Sequence, residues 1–268
     1  MIKVFKISSF EHLESLLSSA NRDTLIVFDI DDVLLKSGTD LLLNFKKYLY
    51  KKIRSEFDEK NTSLIYSIIY SQRKTDHVAS RLCSLFSELQ SKNISVLGLT
   101  CCYTKAFGII PSLREWRLDE LKRFGYFFER SWPMDEPFVF DEFLATGSDA
   151  CPEFKDGVLF SYPQKKGKVL ASFLKRKNIA PNRLIFIDDR KDNVKSVARF
   201  AKEAGIDFVG VWFTQVAESL PACLDKEVVA LQLKVLFNEK VWISDHEAID
   251  FIKKKDAKEC VFSETSCP

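Results

Sequence analysis

The chain has 268 residues, of which 46% are hydrophobic, and its 40 basic and 38 acidic residues leave a formal net charge of +2. This size and apolar content suffice for a substantial hydrophobic core, in one large domain or in a core with a smaller insertion. Because both charge signs are interspersed, the pattern disfavours an electrostatic nucleic-acid binder, which would carry a basic patch or stripe. We therefore expect no nucleic-acid partner.

Neither the N-terminal segment nor any apolar stretch has the pattern of a secretion signal or a membrane span. Residues 1–17 carry charges every few positions, and no stretch reaches the roughly eighteen apolar residues of a transmembrane helix. The seven cysteines form no CxxC pair and no cysteine–histidine cluster with zinc-ligand spacing, which is typical of reduced thiols. We expect a cytoplasmic protein without a membrane partner, with signal-independent secretion left open.

In chain order, a short amphipathic helix comes first. Ser8 and Glu11 have the spacing of a capping box, and Phe10, Leu13 and Leu17 follow at helical period. This pattern predicts a helix that leads directly into the first buried strand.

That strand belongs to the stretch 24–34, which reads TLIVFDIDDVL. Its continuous apolar run predicts a strand buried on both faces, as in the centre of a parallel sheet. The run ends in Asp29, Asp31 and Asp32. Like charges this close repel one another, so a bound cation is the simplest partner that would stabilise them.

Residues 39–90 have helical periodicity without a convincing strand. A helix in the second half of this segment is expected to begin at Thr75 or Asp76 as its N-cap. A helical block placed directly after the first strand is best interpreted as a lid over the site. We therefore expect a helical cap at 37–90 and a catalytic core that comprises 1–36 and 91–268.

The remainder of the chain alternates strands and helices. Apolar runs that predict strands occur at 94–99, 157–161, 183–187 and 207–213. Helices are expected at 105–124, interrupted or restarted at Pro111, and at 168–177 and 193–204. This alternation predicts an α/β fold, a doubly wound Rossmann-like parallel sheet with the cap inserted after its first motif strand.

Polar side chains follow the predicted strands at the point where each strand ends. They are Asp29 and Asp31, Thr100, and Asp188 and Asp189, with Lys165, Lys166 and Lys168 on a neighbouring helix. Because the carboxyl ends of parallel strands meet at one edge of a sheet, we expect these groups to lie close together. Carboxylates, a hydroxyl and an ammonium are the groups needed for Mg²⁺-assisted phosphoryl transfer.

Four segments together resemble the signature motifs of the haloacid dehalogenase superfamily of phosphohydrolases. Residues 29–33 (DIDDV) resemble its DxDx(T/V) motif, and Thr100 resembles its second motif. Lys166 in KKGKVL and the acid pair in LIFIDDRKDN resemble the third and fourth motifs. The motif order and separation agree from residue 24 to about 213. The details FDIDDVL, KGxxL and FIDDRxxN resemble a little-characterised bacterial branch known only as a domain of unknown function, DUF2608-like.

The resemblance and the chemistry of the side chains imply a role for each residue. Asp29 would attack phosphorus and form an aspartyl-phosphate. Asp31 would protonate the leaving oxygen and later deprotonate the hydrolytic water, and its backbone carbonyl would bind Mg²⁺. Thr100, with backbone N–H groups at the start of the following helix, would hold the phosphoryl oxygens. Lys166 would neutralise charge on the nucleophile and the phosphate.

The metal is expected to lie among the acidic groups at the ends of the first and fourth motif strands. Asp189 occupies the acid position of the family's usual GD pair and would bind the ion directly. Asp188 would support it through hydrogen bonds, and Asp192 or Asn193 would hold the metal's waters. The residues expected around the metal are Asp29, Asp31, Asp188 and Asp189.

Three points remain open or depart from the family pattern. Lys165 or Lys168 could take the place of Lys166 as the motif lysine. Asp32 is expected to bond the backbone of its own turn. Thr100 is followed by CCY, where phosphatases of this broad class often have Thr-x-Arg, so the resemblance does not extend to an arginine that holds phosphate at this position.

The leading hypothesis is a Mg²⁺-dependent phosphatase that acts on a small phosphorylated metabolite, since a helical lid favours a substrate that fits a closed chamber. Asp31 disfavours a dehalogenase or phosphonatase, because a carboxylate acid at that position suits phosphate esters. A phosphotransferase on the same scaffold, and a catalytically idle protein that binds a partner through its cap, are the alternatives. The sequence leaves the oligomeric state open.

Overall fold

The computed structural model of this protein describes residues 1–43, 46–133, 136–146, 150–219, 223 and 225–264. The chain divides into two compact units. The first unit comprises Met1–Lys36, Asp76–Ala106 and Pro111–Ser219. The second comprises Ser37–Thr75, Phe107–Ile110 and Leu220–Pro268.

These bounds differ from the cap expected at 37–90. Residues 76–90 belong to the first unit, and the chain from residue 220 onward belongs to the second. Contacts between residues far apart in the sequence explain the difference: the backbone N–H of Asp40 donates to Oδ2 of Asp245 at 2.8 Å, across 205 positions. Local periodicity detects the helical insertion but carries no information about such a distant pairing.

The described residues form ten strands, eight of them in one sheet with the order β1-β10-β9-β2-β5-β8-β7-β6 and two in a separate pair, β3-β4. The strands are β1 Ile2–Ile7, β2 Thr24–Phe28, β3 Leu35–Ser37, β4 Thr75–His77, β5 Ser95–Thr100, β6 Phe138–Val139, β7 Glu153–Lys155, β8 Val158–Phe160, β9 Arg183–Asp188 and β10 Asp207–Phe213. The first six strands of the large sheet, in the order β1-β10-β9-β2-β5-β8, pair in parallel. Strand β7 pairs antiparallel with β8, and β6 pairs antiparallel with β7 at the edge of the sheet.

Helices connect the strands of the large sheet and build the second unit. They are α1 Phe10–Leu17, α2 Asp40–Leu43, α3 Lys46–Glu56, α4 Glu59–Gln72, α5 Leu82–Ser91, α6 Leu113–Arg123, α7 Lys166–Lys177, α8 Lys191–Glu203, α9 Gln215–Glu218, α10 Lys226–Glu239 and α11 Asp245–Glu264. A mostly parallel sheet flanked by helices confirms the predicted doubly wound α/β fold. None of the helices in the described part of the chain combines the length and the apolar content that a bilayer span requires.

The central strand β2 is covered on both faces, which explains its unbroken apolar run. Leu25 and Val27 belong to one buried cluster with residues of α7 and α8, such as Val169 and Val194. The ring of Phe28 lies 6.2 Å from that of Phe86 on α5, which places the opposite face of the strand against a second helix layer. Burial of both faces fixes the register of β2, and therefore the position of the acids that follow it.

The N-terminal residues form an edge strand for which the sequence pattern predicted no element. Strand β1 pairs in parallel with β10, from Ile2 opposite Phe208 to Ile7 opposite Phe213. Residues 2–6 are exposed, so they lack the apolar pattern of a buried strand. The following helix begins as expected, but its N-cap is Ser9 and not Ser8.

The expected N-caps Thr75 and Asp76 lie instead in strand β4, so this prediction is wrong. Helix α5 begins only at Leu82. The reason is that β4 pairs with β3, a segment forty residues earlier that no local helical pattern can reveal.

The segment after β5 is also less helical than expected. Only Leu113–Arg123 of the predicted helix 105–124 forms, and Ser112 caps it by accepting a hydrogen bond from the backbone N–H of Glu115, as the restart at Pro111 predicts. The backbone N–H of Phe107 donates to the carbonyl of Ile110 at 2.8 Å in a tight turn. A loop, and not a helix start, therefore follows Thr100.

Candidate active site

Three carboxylates meet at the carboxyl ends of the two adjacent strands β2 and β9. Asp29 directly follows β2, Asp188 ends β9, and Asp189 comes next in the chain. One carboxylate oxygen of each lies within 4.8 Å of the others. Asp29 and Asp188 are buried, and Asp189 is half-buried. The predicted convergence of strand ends thus brings these three residues together.

Lys166 joins two of the carboxylates. Its Nζ lies 2.7 Å from Oδ1 of Asp29 and 2.7 Å from Oδ2 of Asp188, and its side chain is 2% exposed. Lys165 and Lys168, the alternatives that the sequence left open, are both exposed. The first residue of α7 therefore supplies the ammonium of the cluster.

Gly167 lets α7 approach α8 closely enough to place this lysine. A Cβ at this position would lie 2.4 Å from the backbone oxygen of Ser196, closer than any real Cβ contact. The backbone N–H of Gly167 also donates to Oγ of Ser196 at 3.3 Å. The glycine that follows the motif lysine therefore has a packing function between two helices.

We expect Gly167→Ala to destabilise the protein by about 1–3 kcal/mol, because the added methyl group forces the two helix backbones apart. Helix propensity alone predicts the opposite sign, a gain of about 1 kcal/mol. Urea unfolding followed by circular dichroism distinguishes the two, with Lys175→Ala on the exposed side of the same helix as the control. A more stable alanine variant would contradict the packing function.

The electrostatics of the cluster favour a divalent cation. Three carboxylates and one ammonium carry a combined charge of −2 when all are ionised. Burial, together with the charges of Asp188 and Asp189, raises the pKa of Asp29 well above its ordinary value of 3.8, although Lys166 opposes this shift. Burial alone would lower the pKa of Lys166, but Asp29 and Asp188 raise it above its usual range, so the ammonium stays charged. Oxygen ligands with an excess of two negative charges fit Mg²⁺.

Asp188 is held by several donors besides Lys166. Its Oδ1 accepts from the backbone N–H of Arg190 at 2.8 Å and from Nδ2 of Asn193 at 3.0 Å. Such a carboxylate is fixed in orientation and suits a supporting position beside a metal ligand. Asp189 has its carbonyl fixed by Nε1 of Trp212 at 2.9 Å. Asp189 as the direct ligand stays a prediction.

Asp192 and Asn193, both expected near the metal's waters, occupy different environments. The amide of Asn193 donates to both oxygens of Asp188, so it orients a carboxylate. The side chain of Asp192 is 88% exposed and pairs with Lys195 at 3.3 Å. Its position in the first turn of α8 turns it to the surface, which argues against a role for it in the site.

Asp31 contacts an arginine and is not part of the three-carboxylate cluster. Nη2 of Arg117 on α6 donates to both carboxylate oxygens of Asp31 at 3.0 Å. Nη1 of Arg117 donates to Oε2 of Glu120 at 2.5 Å. Asp31 is therefore close to Asp29 in the sequence, but its carboxylate is oriented by Arg117 of helix α6.

Asp32 has the turn conformation that the sequence predicted. Its φ of 62° lies in the left-handed region that aspartate tolerates better than most residues. Its backbone N–H donates to the carbonyl of Leu35 at 2.7 Å. This turn reverses the chain immediately after Asp31.

Thr100 is buried and is the last residue of β5, the strand that pairs with β2. Its carbonyl accepts from the backbone N–H and the hydroxyl of Ser161, at 2.8 and 3.1 Å. Cys101 is exposed and Cys102 half-buried, and the thiol of Cys102 donates to the carbonyl of Tyr103 at 3.2 Å. Because a loop follows, the helix-start N–H groups expected beside Thr100 are not present at residues 101–104, and this part of the prediction is wrong.

The sequence pattern missed Arg117 and Glu120. They are separated by three positions on a charged helix, LREWRLDELKR, and such a pair is usually an exposed ion pair. In the structure both are buried. The only signal was the pair of leucines, 118 and 121, that marks the neighbouring helix face as buried.

Two curated relatives match more than two thirds of this chain, and one solved structure resembles it more distantly. An uncharacterised protein of Rickettsia prowazekii is 25% identical over 250 residues, which cover 90% of this chain and 88% of the relative. A second, from Rickettsia bellii, is 26% identical over 201 residues, which cover 72% of this chain and 68% of the relative. A solved haloacid dehalogenase-like family hydrolase from Streptococcus pneumoniae matches 70% of this chain and 93% of its own, with 15% identity and a TM-score of 0.38.

A family model described as "Protein of unknown function (DUF2608)" matches residues 6–249, which is most of the chain. The match includes the strands that carry the acidic residues and the helix that begins with Lys166. The chain therefore belongs to the DUF2608 family, as its motif details predict.

Proposed function

We propose that this protein is a Mg²⁺-dependent phosphohydrolase that acts on a small phosphorylated metabolite through an aspartyl-phosphate on Asp29. The observation that carries the proposal is the position of Lys166, whose Nζ lies 2.7 Å from both Asp29 and Asp188 beside the carboxylate of Asp189. A buried ammonium shared by two carboxylates suits a site where a further negative group, the phosphate, must enter.

Asp29 is oriented for nucleophilic attack. Its Oδ1 accepts hydrogen bonds from the backbone N–H of Ile30 at 2.7 Å and from Lys166. Because Oδ1 receives both bonds, we assign the attack to Oδ2. The Oδ2–P bond forms as the bond from phosphorus to the leaving oxygen breaks, and Asp31 gives that oxygen a proton. Water then attacks phosphorus and gives its proton to Asp31, and phosphate leaves Asp29.

Asp29, Asp189 and the backbone carbonyl of Asp31 would hold Mg²⁺, with Asp188 fixed behind them by its own hydrogen bonds. When bound, Mg²⁺ neutralises charge on the phosphoryl oxygens. Lys166 opposes the rise in the pKa of Asp29 that burial and the neighbouring carboxylates cause, and Thr100 at the end of β5 is assigned to a phosphoryl oxygen. The excess of negative charge in the cluster supports this arrangement.

The second unit is proposed to select the substrate, as the cap expected from the sequence would. The chain enters it downstream of β2, of β5 and of β10, at residues 37, 107 and 220. The substrate preference of the enzyme tests this proposal.

The proposal predicts Mg²⁺-dependent turnover of 4-nitrophenyl phosphate, and higher kcat/KM for at least one compound in a panel of small phosphorylated metabolites. A phosphoprotein should be a poor substrate if the second unit admits only small molecules. Phosphate release is measured with Mg²⁺ and with EDTA. No Mg²⁺-dependent turnover of any compound would overturn the proposed function, and preference for the phosphoprotein would overturn the role of the second unit.

A further inference from the structure

Arg117 and Glu120 form a buried ion pair that reaches Asp31. The Arg117 side chain is 5% exposed and that of Glu120 is 2% exposed, with 2.5 Å between Nη1 of Arg117 and Oε2 of Glu120. Nη2 of Arg117 donates to both carboxylate oxygens of Asp31 at 3.0 Å. The guanidinium therefore bridges a fully enclosed acid and the acid assigned to proton transfer.

The Arg117–Glu120 ion pair is buried, whereas Asp31 is partly exposed. The Asp31 side chain is 40% exposed, so water can reach part of its carboxylate. Removing a guanidinium from water is unfavourable, and Glu120 offsets that loss. The arrangement thus keeps a rigid donor in place on one side of a carboxylate that remains accessible on another. A planar guanidinium suits this task, because its donors have fixed directions.

The position of the pair is set by helix α6. Ser112 caps the helix, and Arg117 and Glu120 lie three residues apart, on adjacent turns of one face. The guanidinium also lies 5.1 Å from the ring centre of Trp116. The contacts of the guanidinium with Glu120 and Trp116 restrict the rotamers of Arg117 and favour its direction toward Asp31.

We infer that Arg117, held by Glu120, is a positioning residue that orients the carboxyl group of Asp31 for proton transfer to the leaving oxygen. This inference rests on the proposed function. It assigns Arg117 no contact with substrate: the guanidinium acts through Asp31. The CCY sequence after Thr100 lacks the arginine of the Thr-x-Arg pattern. Arg117 has a different task, because it contacts Asp31 and not the phosphate.

A positioning residue for the general acid has a specific kinetic signature. A dinitrophenolate leaves without a proton, whereas an alkoxide must be protonated as it leaves. Loss of Arg117 should therefore reduce kcat/KM for alkyl phosphates by about a hundred- to a thousand-fold, the lower part of the range for general acid catalysis, because Asp31 itself remains. The loss for 2,4-dinitrophenyl phosphate should be under about tenfold. The parameter kcat/KM is chosen because it reports the step in which the leaving group departs.

The test compares Arg117→Met and Arg117→Lys across aryl and alkyl phosphates of rising leaving-group basicity, in the full chain with Mg²⁺. Arg117→Lys should keep part of the activity toward alkyl phosphates, because its ammonium can still donate to Asp31. Arg114→Met is the matched control, since Arg114 lies on the same helix and pairs with Glu153 and Glu115. Its effect should not depend on the leaving group.

Arg117→Met leaves Glu120 buried without its cation and could prevent folding. The double variant Arg117→Met/Glu120→Met removes both buried charges and should fold while it shows the same dependence on leaving group. Equal loss for all substrates in a folded variant, or the same dependence in Arg114→Met, would overturn the inference alone. A wild-type protein without turnover of any phosphate ester would overturn the proposed function and this inference with it.

Discussion

Asp29→Asn should reduce Mg²⁺-dependent phosphate release by about 10⁴- to 10⁶-fold, the scale of loss when a covalent nucleophile is removed. The amide keeps an oxygen where Ile30 N–H and Lys166 donate to Oδ1, so the local geometry should persist. An amide oxygen does not form the aspartyl-phosphate, and the chemical step is lost. Steady-state and single-turnover assays with 4-nitrophenyl phosphate measure the effect.

A folding control accompanies this variant. Because the pKa of Asp29 is raised in the folded state, the wild-type carboxyl group binds its proton more tightly when folded than when unfolded. Its contribution to stability is therefore full below the ordinary value of 3.8 and is lost as pH rises through the higher folded value. Asp29→Asn should lack this dependence in metal-free urea unfolding between pH 4 and pH 8. A folded variant that retained turnover would contradict the nucleophile assignment.

Lys166→Met should destabilise the protein by about 3–5 kcal/mol, the usual effect of removing one partner from a buried ion pair. The substitution leaves Asp29 and Asp188 close together without the ammonium, so the combined charge of the cluster, with all groups ionised, changes from −2 to −3. The loss should be larger at pH 8 than at pH 5, because protonation relieves the repulsion at the lower pH. Urea unfolding at both pH values measures this loss of stability. The phosphatase activity of the variant should be about a hundred- to a thousand-fold below that of the wild type.

Lys165→Met and Lys168→Met are matched controls for this result. Both side chains are exposed on either side of Lys166, so their replacement should change stability by less than about 0.5 kcal/mol. If either control lost activity while Lys166→Met kept it, the motif lysine would be a neighbour and the assignment would be wrong. Added Mg²⁺ should restore part of the stability that Lys166→Met loses, since a cation then reaches the same carboxylates.

The β2 and β9 ends were predictable because each rests on a strong local pattern. An unbroken apolar run that stops at adjacent acids places a buried strand and the charge at its end with little ambiguity. The change from KKGK to an apolar period likewise marks the start of a helix that carries lysines, but it left Lys165, Lys166 and Lys168 as alternatives. The local pattern fails for Asp31, whose carboxylate contacts an arginine on another helix. Asp31 was expected beside Asp29 and Thr100, but its contact with Arg117 spans 86 positions.

The second unit shows the same limit at a larger scale. Its inserted helices were visible as a helical period in the sequence, and the C-terminal helix α11 begins with a local capping contact, in which the backbone N–H of Ser244 donates to Oε2 of Glu247 at 2.7 Å. The membership of the C-terminal segment was not visible, because it depends on contacts such as that of Asp40 with Asp245. Edge strand β1 escaped prediction for a related reason: its exposed residues leave backbone pairing as the main evidence of the strand.

The sequence by itself thus determined the α/β sheet and its central acidic strand ends, because apolar periodicity and charge at strand ends are local consequences of burial. The tertiary structure alone decided which lysine nitrogen joins Asp29 to Asp188, how the chain divides into units, and that Arg117 holds Asp31. These are distances between residues remote in the chain, and they follow from packing that no short stretch of sequence encodes.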